Sequence, residues 1–317
     1  MASFMLTACG EVAPTGDAVS AKVSEARARN DAPAIWVAKD YDSTLYLFGT
    51  VHLLPDDLSW QRADMRSAFA KSGTIFFEVD TGEAGQVQAA VLTTSLGMRS
   101  DGLRLSDSLD NYQLKLLDAA ANNGDLTVAS LDSMKPWLAS EFLSFAAASN
   151  AGLSAELASD EALKSRAARS GKNIIYLETM EDQIRASADL PEYIQLEILT
   201  ETMERFNTLG QDMTAIAHAW LEGRTDILTE KITRPMQSKA PEVFNSLLRD
   251  RNRKWANTLA GFMEDSGTGF AAVGTAHLLG EGSLLDELRE QGYQVSRYYA
   301  FQGEDVIESV QPEIIRP

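Results

Sequence analysis

A six-residue motif that occurs twice constrains this chain more than any other feature of the sequence. Residues 49–54 (GTVHLL) and 274–279 (GTAHLL) agree at five of six positions and hold two of the three histidines in the 317-residue chain. Each motif follows an apolar, β-prone run, so each histidine is expected at the C-terminal tip of a strand, where open α/β sheets hold their ligands. A single strand-end histidine is often structural. Two copies of one motif predict a shared, pseudo-symmetric site built from His52 and His277.

The segments around the two motifs predict a mixed α/β fold. The predicted elements are strands over 35–38 and 44–48, a helix over 59–71 capped by Ser59, a strand over 74–80, and a strand–helix–strand unit over 270–298. The central sheet is therefore expected to come from two β-α-β units that carry the Gly-x-x-His motifs. We expect the folded domain to span residues 33–317.

The middle of the chain, residues 83–260, predicts a large and mainly helical insertion. The predicted elements are helices over 84–96, 112–120, 136–148 and 157–170, a strand over 173–178, and helices over 191–209, 213–222 and 242–263. His218 lies in the next-to-last of these helices, beside Trp220. A lone helical histidine of this kind is typical of packing rather than of chemistry.

Two glutamates stand where predicted buried strands end. Glu78 interrupts an apolar run, and a buried carboxylate is costly unless it is paired, hydrogen-bonded or bound to a metal. It comes one β-α-β unit after His52, so we expect it at the same edge of the sheet; the alternative is a carboxylate that reaches solvent. Glu178 ends a second apolar strand, where the dipole of the following helix also favours an acidic residue. Both are candidate site residues.

A cationic cluster at residues 249–255 (RDRNRKW) stands out in an acidic chain. A solvated helix face is the ordinary interpretation of such a run. The strand that leads to His277 begins soon afterwards, so one arginine of the cluster is also expected to point into the site. No Gly-rich phosphate loop, Gly-x-Ser-x-Gly turn, Cys-x-x-Cys pair or His-Glu-x-x-His helix occurs in the sequence.

The balance of charge excludes some classes of partner. The chain has 28 Lys and Arg against 46 Asp and Glu, which gives a formal net charge of -18. Nucleic-acid binding needs clustered cations to neutralise phosphates, and anionic membranes repel an acidic surface. We therefore expect no nucleic-acid partner, and a membrane contact only through a lipid anchor. The 44% hydrophobic and 23% charged composition is typical of a soluble globular protein.

The single cysteine, Cys9, excludes a disulfide within the chain. Residues 6–10 (LTACG) resemble the lipobox before the lipidated cysteine of bacterial lipoproteins. The residues before them lack the cationic and long apolar regions of a full signal. We expect residues 1–32 to be a truncated lipoprotein signal and flexible tether, with Cys9 as the lipidation site; a chance cysteine in an irregular start is the alternative.

Taken together, these motifs resemble those of the TraB/GumN family, which is related to the Tiki metalloproteases and to the pheromone-shutdown proteins. The motifs that carry the resemblance are the paired Gly-x-x-His sequences, FEVD at 77–80, KPW at 135–137, LET at 177–179, RNRKW at 251–255 and GY at 292–293. They cover nearly everything from about residue 33 to residue 297.

The resemblance implies an α/β core with a helical insertion and a site formed by His52, His277, Glu78 and Arg251. In Tiki-like members such a site supports peptide cleavage that depends on manganese or cobalt. Independently of the resemblance, two imidazoles and one carboxylate can hold a divalent ion and leave positions open for water. His52, His277 and Glu78 are therefore the predicted ligands of manganese or cobalt, with zinc as a further possibility.

These expectations predict a divalent-metal-dependent hydrolase, most simply a peptidase of the bacterial cell envelope that acts on a peptide or small signal. Glu178, or Glu78 if it is not a ligand, would act as the general base. Arg251 would stabilise the oxyanion or bind a substrate carboxylate in bidentate fashion. Two alternatives stay open: a non-catalytic protein that binds or sequesters a peptide in the same cleft, and a metal-free hydrolase in which a histidine is the base.

Overall fold

The structure is a computed structural model, and it describes residues 32–55, 59–301 and 304–307. The strands are β1 (Ile35–Lys39), β2 (Ser43–Thr50), β3 (Thr74–Phe77), β4 (Asn173–Tyr176), β5 (Gly267–Gly274), β6 (Gln294–Phe301) and β7 (Glu304–Ile307). The α-helices are α1 (Ala63–Lys71), α2 (Glu83–Gly97), α3 (Asn111–Asn123), α4 (Val128–Leu131), α5 (Pro136–Asn150), α6 (Ser159–Arg169), α7 (Met180–Ala188), α8 (Glu192–Leu221), α9 (Thr225–Leu228), α10 (Arg234–Lys239), α11 (Pro241–Phe244), α12 (Asp250–Met263) and α13 (Leu284–Glu290). Short 3₁₀ turns cover Leu105–Ser108, Ala155–Leu157 and Thr275–Leu278, and π turns cover Thr229–Thr233 and Asn245–Arg249.

Within these ranges the strands form one seven-stranded mixed sheet in the order β4-β3-β5-β2-β1-β6-β7. The strands β4, β3, β5 and β2 are parallel neighbours, and β1 is antiparallel to both β2 and β6. Four parallel strands therefore end at one edge of the sheet. The segments that follow them include His52, Glu78, Glu178 and His277, so these residues lie at the same edge of the sheet. The mixed α/β fold is confirmed.

Both faces of the sheet are buried, because alternate side chains of each strand point to opposite faces. One face carries Ile35, Val37, Tyr46 and Phe48 against α1, α6 and the C-terminal end of α8. The other face packs against α12 and α13; its core includes Trp36, Leu45, Leu47, Phe76, Trp255, Leu259, Leu284 and Leu288. Such double burial explains why β2 and β5 have near-continuous apolar sequences rather than a strict alternation.

A third core lies among the helices of residues 83–260. It joins α3, α5 and α8 through Leu117, Leu143 and Phe206. The same range also supplies β4, which pairs with β3 at the edge of the sheet. No helix in the described ranges combines the length and the apolar character needed to cross a bilayer.

Three of the predicted helix boundaries were wrong. The segments 191–209 and 213–222 form one 30-residue helix, α8, because Gly210 is not a break: a Cβ there would collide with the carbonyl oxygen of Ala147, so this glycine allows α8 and α5 to approach closely. The first helix begins at Ala63 rather than at Ser59, and no side chain caps it. The helical pattern over 242–263 is interrupted by the π turn Asn245–Arg249.

Candidate functional site

The two Gly-x-x-His loops leave the sheet side by side. The strands β2 and β5 pair in parallel up to Thr50 and Gly274, and the Thr275 hydroxyl donates to the Thr50 carbonyl at 2.9 Å. A Cβ at Gly49 would lie 2.8 Å from the Thr275 hydroxyl oxygen, so glycine is needed for this close approach. The Gly49 carbonyl accepts from the indole of Trp220 at 2.8 Å, which ties the end of α8 to the first loop.

His277 is almost completely buried, with 3% exposure. Its Nδ1 lies 2.6 Å from the Asn252 Oδ1, and the Asn252 amide donates to the Gly282 carbonyl at 2.9 Å. The ring packs on Trp255 with centroids 4.3 Å apart. Burial lowers the pKa of His277 to about 3, because an imidazolium loses its hydration there. His277 is therefore neutral at physiological pH.

His52 lies in a more open position, with its side chain 65% exposed, and its Nδ1 is 3.4 Å from the Asp160 Oδ2. The contact with the Asp160 carboxylate raises the pKa of His52, although partial burial acts in the opposite direction. In both histidines, then, Nδ1 faces a side-chain oxygen. The other ring nitrogen, Nε2, is the one left for a ligand or a proton.

Glu78 lies between the two loops, directly after β3, and its side chain is 12% exposed. Its Oε1 accepts from the Gly274 backbone N–H at 2.5 Å, and its Oε2 accepts from Gln183 and Arg251, each at 3.1 Å. Burial by itself raises the pKa of Glu78, but its interactions with His277, Arg251 and His52 bring it below the usual value. Because His277 is neutral, the permanent positive charge among these groups is that of Arg251, and Glu78 is ionised.

Arg251, in the first turn of α12, joins the two glutamates. Its Nε and Nη2 donate to the Glu178 carboxylate at 2.9 and 2.7 Å, and Nη2 also reaches Glu78. The Nη1 donates to the Leu247 carbonyl at 2.8 Å, and the guanidinium stacks on Trp255 at 4.7 Å. Such bidentate pairs fix geometry strongly. Arg251 thus holds the carboxylates in place, and most of its donors are already in use.

Two adjoining cavities meet at His52 and Glu78. The first, about 370 Å³, is lined by His52, Glu78, Arg251 and His277, with an apolar wall that includes Met213, Ile216 and Ile232. The second, about 390 Å³, is lined by His52 and Glu78 together with Asp160, Glu161 and Lys164. The structure therefore brings four of the predicted site residues to one cavity.

The other predicted residues have different placements. Glu178, whose side chain is 6% exposed, lies behind Arg251 and does not line either cavity. Burial raises the pKa of Glu178, although Arg251 opposes this. His218 is an exposed residue of α8, outside both cavity linings. Cys9 lies outside the described residues.

Three site residues were missed from the sequence: Asp160, Asn252 and Gln183. Asp160 follows Ser159 at the start of a helix, where the pair has the composition of an ordinary cap. Asn252 lies inside the cationic run that was interpreted as a solvated face. From the sequence, these three residues can be found only by a search for polar residues on the helices that border the strand ends.

The donor set suits a divalent ion of borderline softness, because it offers two imidazole nitrogens and a carboxylate. The oxygen acceptors against both Nδ1 atoms match the way in which metal-bound histidines are usually oriented. The fit is incomplete: in the part of the chain that the structure describes, no three His, Cys, Asp or Glu side chains converge as a ready metal-binding group. An ion at Glu78 would compete with Arg251 and Gln183 for the carboxylate oxygens.

Fold and site define a class of protein: an α/β domain with a paired-histidine cleft at the carboxyl edge of parallel strands. The TraB/PrgY/gumN family matches residues 34–297, and the chain belongs to this family. It is similar to the Uncharacterized protein YbaP of Escherichia coli (strain K12), with 23% identity over 257 residues, which are 81% of this chain and 92% of that protein. The YbaP protein of Shigella flexneri matches with the same identity and coverage. No solved structure matches the chain.

Proposed function

We propose that this protein is a divalent-metal-dependent hydrolase of peptides, with His52, His277 and Glu78 as the groups that hold the ion. The observation that carries the proposal is that two Gly-x-x-His imidazoles line one cavity with an ionised carboxylate, each with Nδ1 against a side-chain oxygen. This arrangement leaves both Nε2 atoms available for an ion. The neutral state of His277 also suits a ligand, because a metal and a proton compete for the same lone pair.

In the proposed hydrolysis, the bound ion and each of the surrounding side chains have separate roles. A bound divalent ion would lower the pKa of water and polarise a scissile carbonyl. Glu78 faces the cavity and is ionised, so it is the carboxylate placed to hold the ion; Glu178 is occupied by Arg251 and lies outside the cavity linings, so it is not placed to accept a proton from a water in the cavity. Arg251 keeps Glu78 ionised and in place. The apolar wall of the cavity contacts the body of the substrate.

A second candidate, a protein that binds a peptide without cleaving it, is favoured by two observations. Arg251 already neutralises Glu78, and no three ligand side chains converge in the described residues. The same cavity would then capture a peptide through its apolar wall. For either function we propose a location in the bacterial cell envelope, which rests on the lipobox-like residues 6–10 alone.

The test begins with metal binding to the purified full chain. After treatment with a chelator, the protein is titrated with Mn²⁺, Co²⁺ and Zn²⁺ by calorimetry, as wild type and as the His52→Ala, His277→Ala and His218→Ala variants. We expect one ion per chain, binding lost in the first two variants, and binding retained in His218→Ala, the matched control. No binding by the wild type would overturn the metal assignment.

Cleavage is then measured with a mixture-based peptide library and mass spectrometry, with Mn²⁺ or Co²⁺ and with chelator. Metal-dependent products that disappear in His52→Ala and His277→Ala would support the hydrolase. Retention of library peptides on immobilised wild-type protein, with no product, would favour the binding protein instead. Product that is unaffected by chelator would point to a metal-free hydrolase.

A further inference from the structure

The loop that carries His52 is held by a segment distant in sequence, at the start of α6. The Ser159 hydroxyl accepts from the Val51 N–H at 3.0 Å, and the Ser159 N–H donates to the Val51 carbonyl at 3.1 Å. Leu54 and Ser154 exchange backbone hydrogen bonds at 3.2 and 2.9 Å. These contacts fix the backbone on both sides of His52.

The next residue of α6, Asp160, contacts the imidazole of His52 directly. Its Oδ2 lies 3.4 Å from the His52 Nδ1 and 3.9 Å from the Lys164 Nζ, and its side chain is 15% exposed. Its Oδ1 is buried and has no hydrogen-bond partner among the described residues. A buried acceptor without a partner costs stability. The placement of Asp160 is thus poorly explained by the stability of the fold.

We propose that Asp160 is the positioning residue of His52: it accepts the Nδ1–H, and so turns Nε2 towards the point where the two cavities meet. The backbone contacts of Ser159 place the loop, and the carboxylate of Asp160 then selects one ring orientation and one tautomer. The value of this orientation for catalysis rests on the proposed function. The orientation itself does not require a metal or a reaction.

If Asp160 had a purely structural role, the tautomer of His52 would not depend on its carboxylate. An acidic residue in the first turn of α6 also interacts favourably with the helix dipole, and Glu161 occupies the same turn. Glu161 lines the same cavity but contacts Thr81 and Lys164 rather than His52. Glu161→Ala is therefore a matched control, because it removes the same charge from the same turn and leaves the contact to His52.

The test uses the metal-free full chain with ¹⁵N-labelled histidine. Long-range ¹H–¹⁵N spectra at about pH 9, well above the ordinary imidazole pKa, report the tautomer of each of the three histidines; His218→Ala and His277→Ala assign the signals. We expect His52 in the Nδ1–H form in the wild type and in Glu161→Ala. In Asp160→Ala it should change to the mixture, mostly Nε2–H, that free histidine adopts.

Either an Nε2–H tautomer in the wild type or an unchanged tautomer in Asp160→Ala would overturn the proposal. Asp160→Ser, which keeps a good residue for a helix start, serves if Asp160→Ala folds poorly by circular dichroism. The second measurement is Co²⁺ affinity, which should weaken about 10- to 100-fold in Asp160→Ala and stay unchanged in Glu161→Ala. An altered tautomer with full Co²⁺ affinity would overturn the functional part of the proposal.

The two proposals fail in different ways. If the wild type neither binds Co²⁺ nor cleaves a peptide, the proposed function fails, while the tautomer spectra still decide whether Asp160 orients His52. If metal binding and cleavage are present but the spectra of wild type and Asp160→Ala agree, only the role of Asp160 fails.

Discussion

The two histidine loops share five of six residues but lie in different surroundings. His52 has a side chain that is 65% exposed and a carboxylate against its Nδ1, whereas His277 is 3% exposed and has an amide oxygen there. The pKa of the first imidazole is raised and that of the second is lowered to about 3. The shared motif therefore brings an imidazole that is held at Nδ1 to the end of each strand, while the covering elements fix the charge of that imidazole.

The difference begins with the register of the two central strands. Thr50 pairs with Gly274, so the second motif leaves the sheet one residue earlier than the first. Residues Thr275–Leu278 then form a 3₁₀ turn beneath α12, where Asn252 and Trp255 cover the ring of His277. The first motif has no such turn, and its loop lies along the start of α6. A duplicated sequence thus supplies one fixed neutral imidazole and one open imidazole.

The largest expected effect that separates the loops is on stability. His277→Ala removes a buried ring from beside Trp255 and leaves Asn252 without its partner, so we expect the free energy of unfolding to fall by about 2–4 kcal/mol. His52→Ala removes an exposed ring and should cost less than about 1 kcal/mol. Chemical denaturation of both variants measures the difference, with the exposed His218→Ala as control. Equal losses for the two variants would contradict the contrast in burial.

The second effect is an opposite dependence of stability on pH. The folded pKa of His277, about 3, lies below the ordinary imidazole pKa of about 6.5, so the unfolded chain binds this proton more readily. The contribution of neutral His277 is full above about pH 6.5 and is lost as pH falls towards 3, at up to about 1.4 kcal/mol per pH unit. His52 has a raised pKa, so its contribution is full below about pH 6.5 and is lost as pH rises through its folded pKa.

These signs are checked by denaturation of wild type, His277→Gln and His52→Gln between about pH 4.5 and pH 8.5. The stability of wild type relative to His277→Gln should increase with pH in the acidic half of this range. The stability of wild type relative to His52→Gln should decrease with pH in the basic half. Slopes of the same sign would show that the two imidazoles have similar surroundings.

The contrast also shows what the sequence was able to predict. The repeated motif, the strand patterns and Glu78 were sufficient for the α/β fold and for three residues of one cavity, because the ends of parallel strands follow local rules; the fourth residue, Arg251, was named through the family resemblance. The buried state of one histidine was not predictable, because it depends on Asn252 and Trp255, which come from a distant helix. Asp160 was missed for the same reason: nothing local in residues 159–160 distinguishes a group that faces His52 from a helix cap.

The third expected effect is a difference between the first glycines of the two motifs, Gly49 and Gly274, in stability and in Co²⁺ binding. A Cβ at Gly49 would lie 2.8 Å from the Thr275 Oγ1 and 3.1 Å from the Thr275 Cα, so Gly49→Ala should push the loops apart and cost about 1–3 kcal/mol. A Cβ at Gly274 would lie 3.1 Å from the Glu78 Oε1 and 3.6 Å from the His277 Cδ2. Because a carboxylate can move, Gly274→Ala should cost less stability but weaken Co²⁺ binding more. Denaturation and Co²⁺ titration measure the two effects.

The control for both glycines is Gly261→Ala in α12, where a Cβ would meet nothing within 4 Å. An alanine in an exposed helix position should stabilise the protein by roughly 0.5–1 kcal/mol and leave Co²⁺ binding unchanged. If Gly274→Ala behaved like this control, the space between Glu78 and His277 would have no part in ligand binding.

The smallest expected effect tests whether the loops are held independently. Ser159→Ala leaves the Val51 N–H without its acceptor, and Thr275→Val removes the donor to the Thr50 carbonyl; each should cost about 1 kcal/mol. The imidazole ¹⁵N signals of the metal-free protein then report which ring responds. We expect Ser159→Ala to shift mainly His52, since its hydrogen bonds lie on the first loop, and Thr275→Val to shift mainly His277. If each variant shifted the signals of both rings equally, the two loops would move together. One histidine could then not be repositioned without the other, despite their different surroundings.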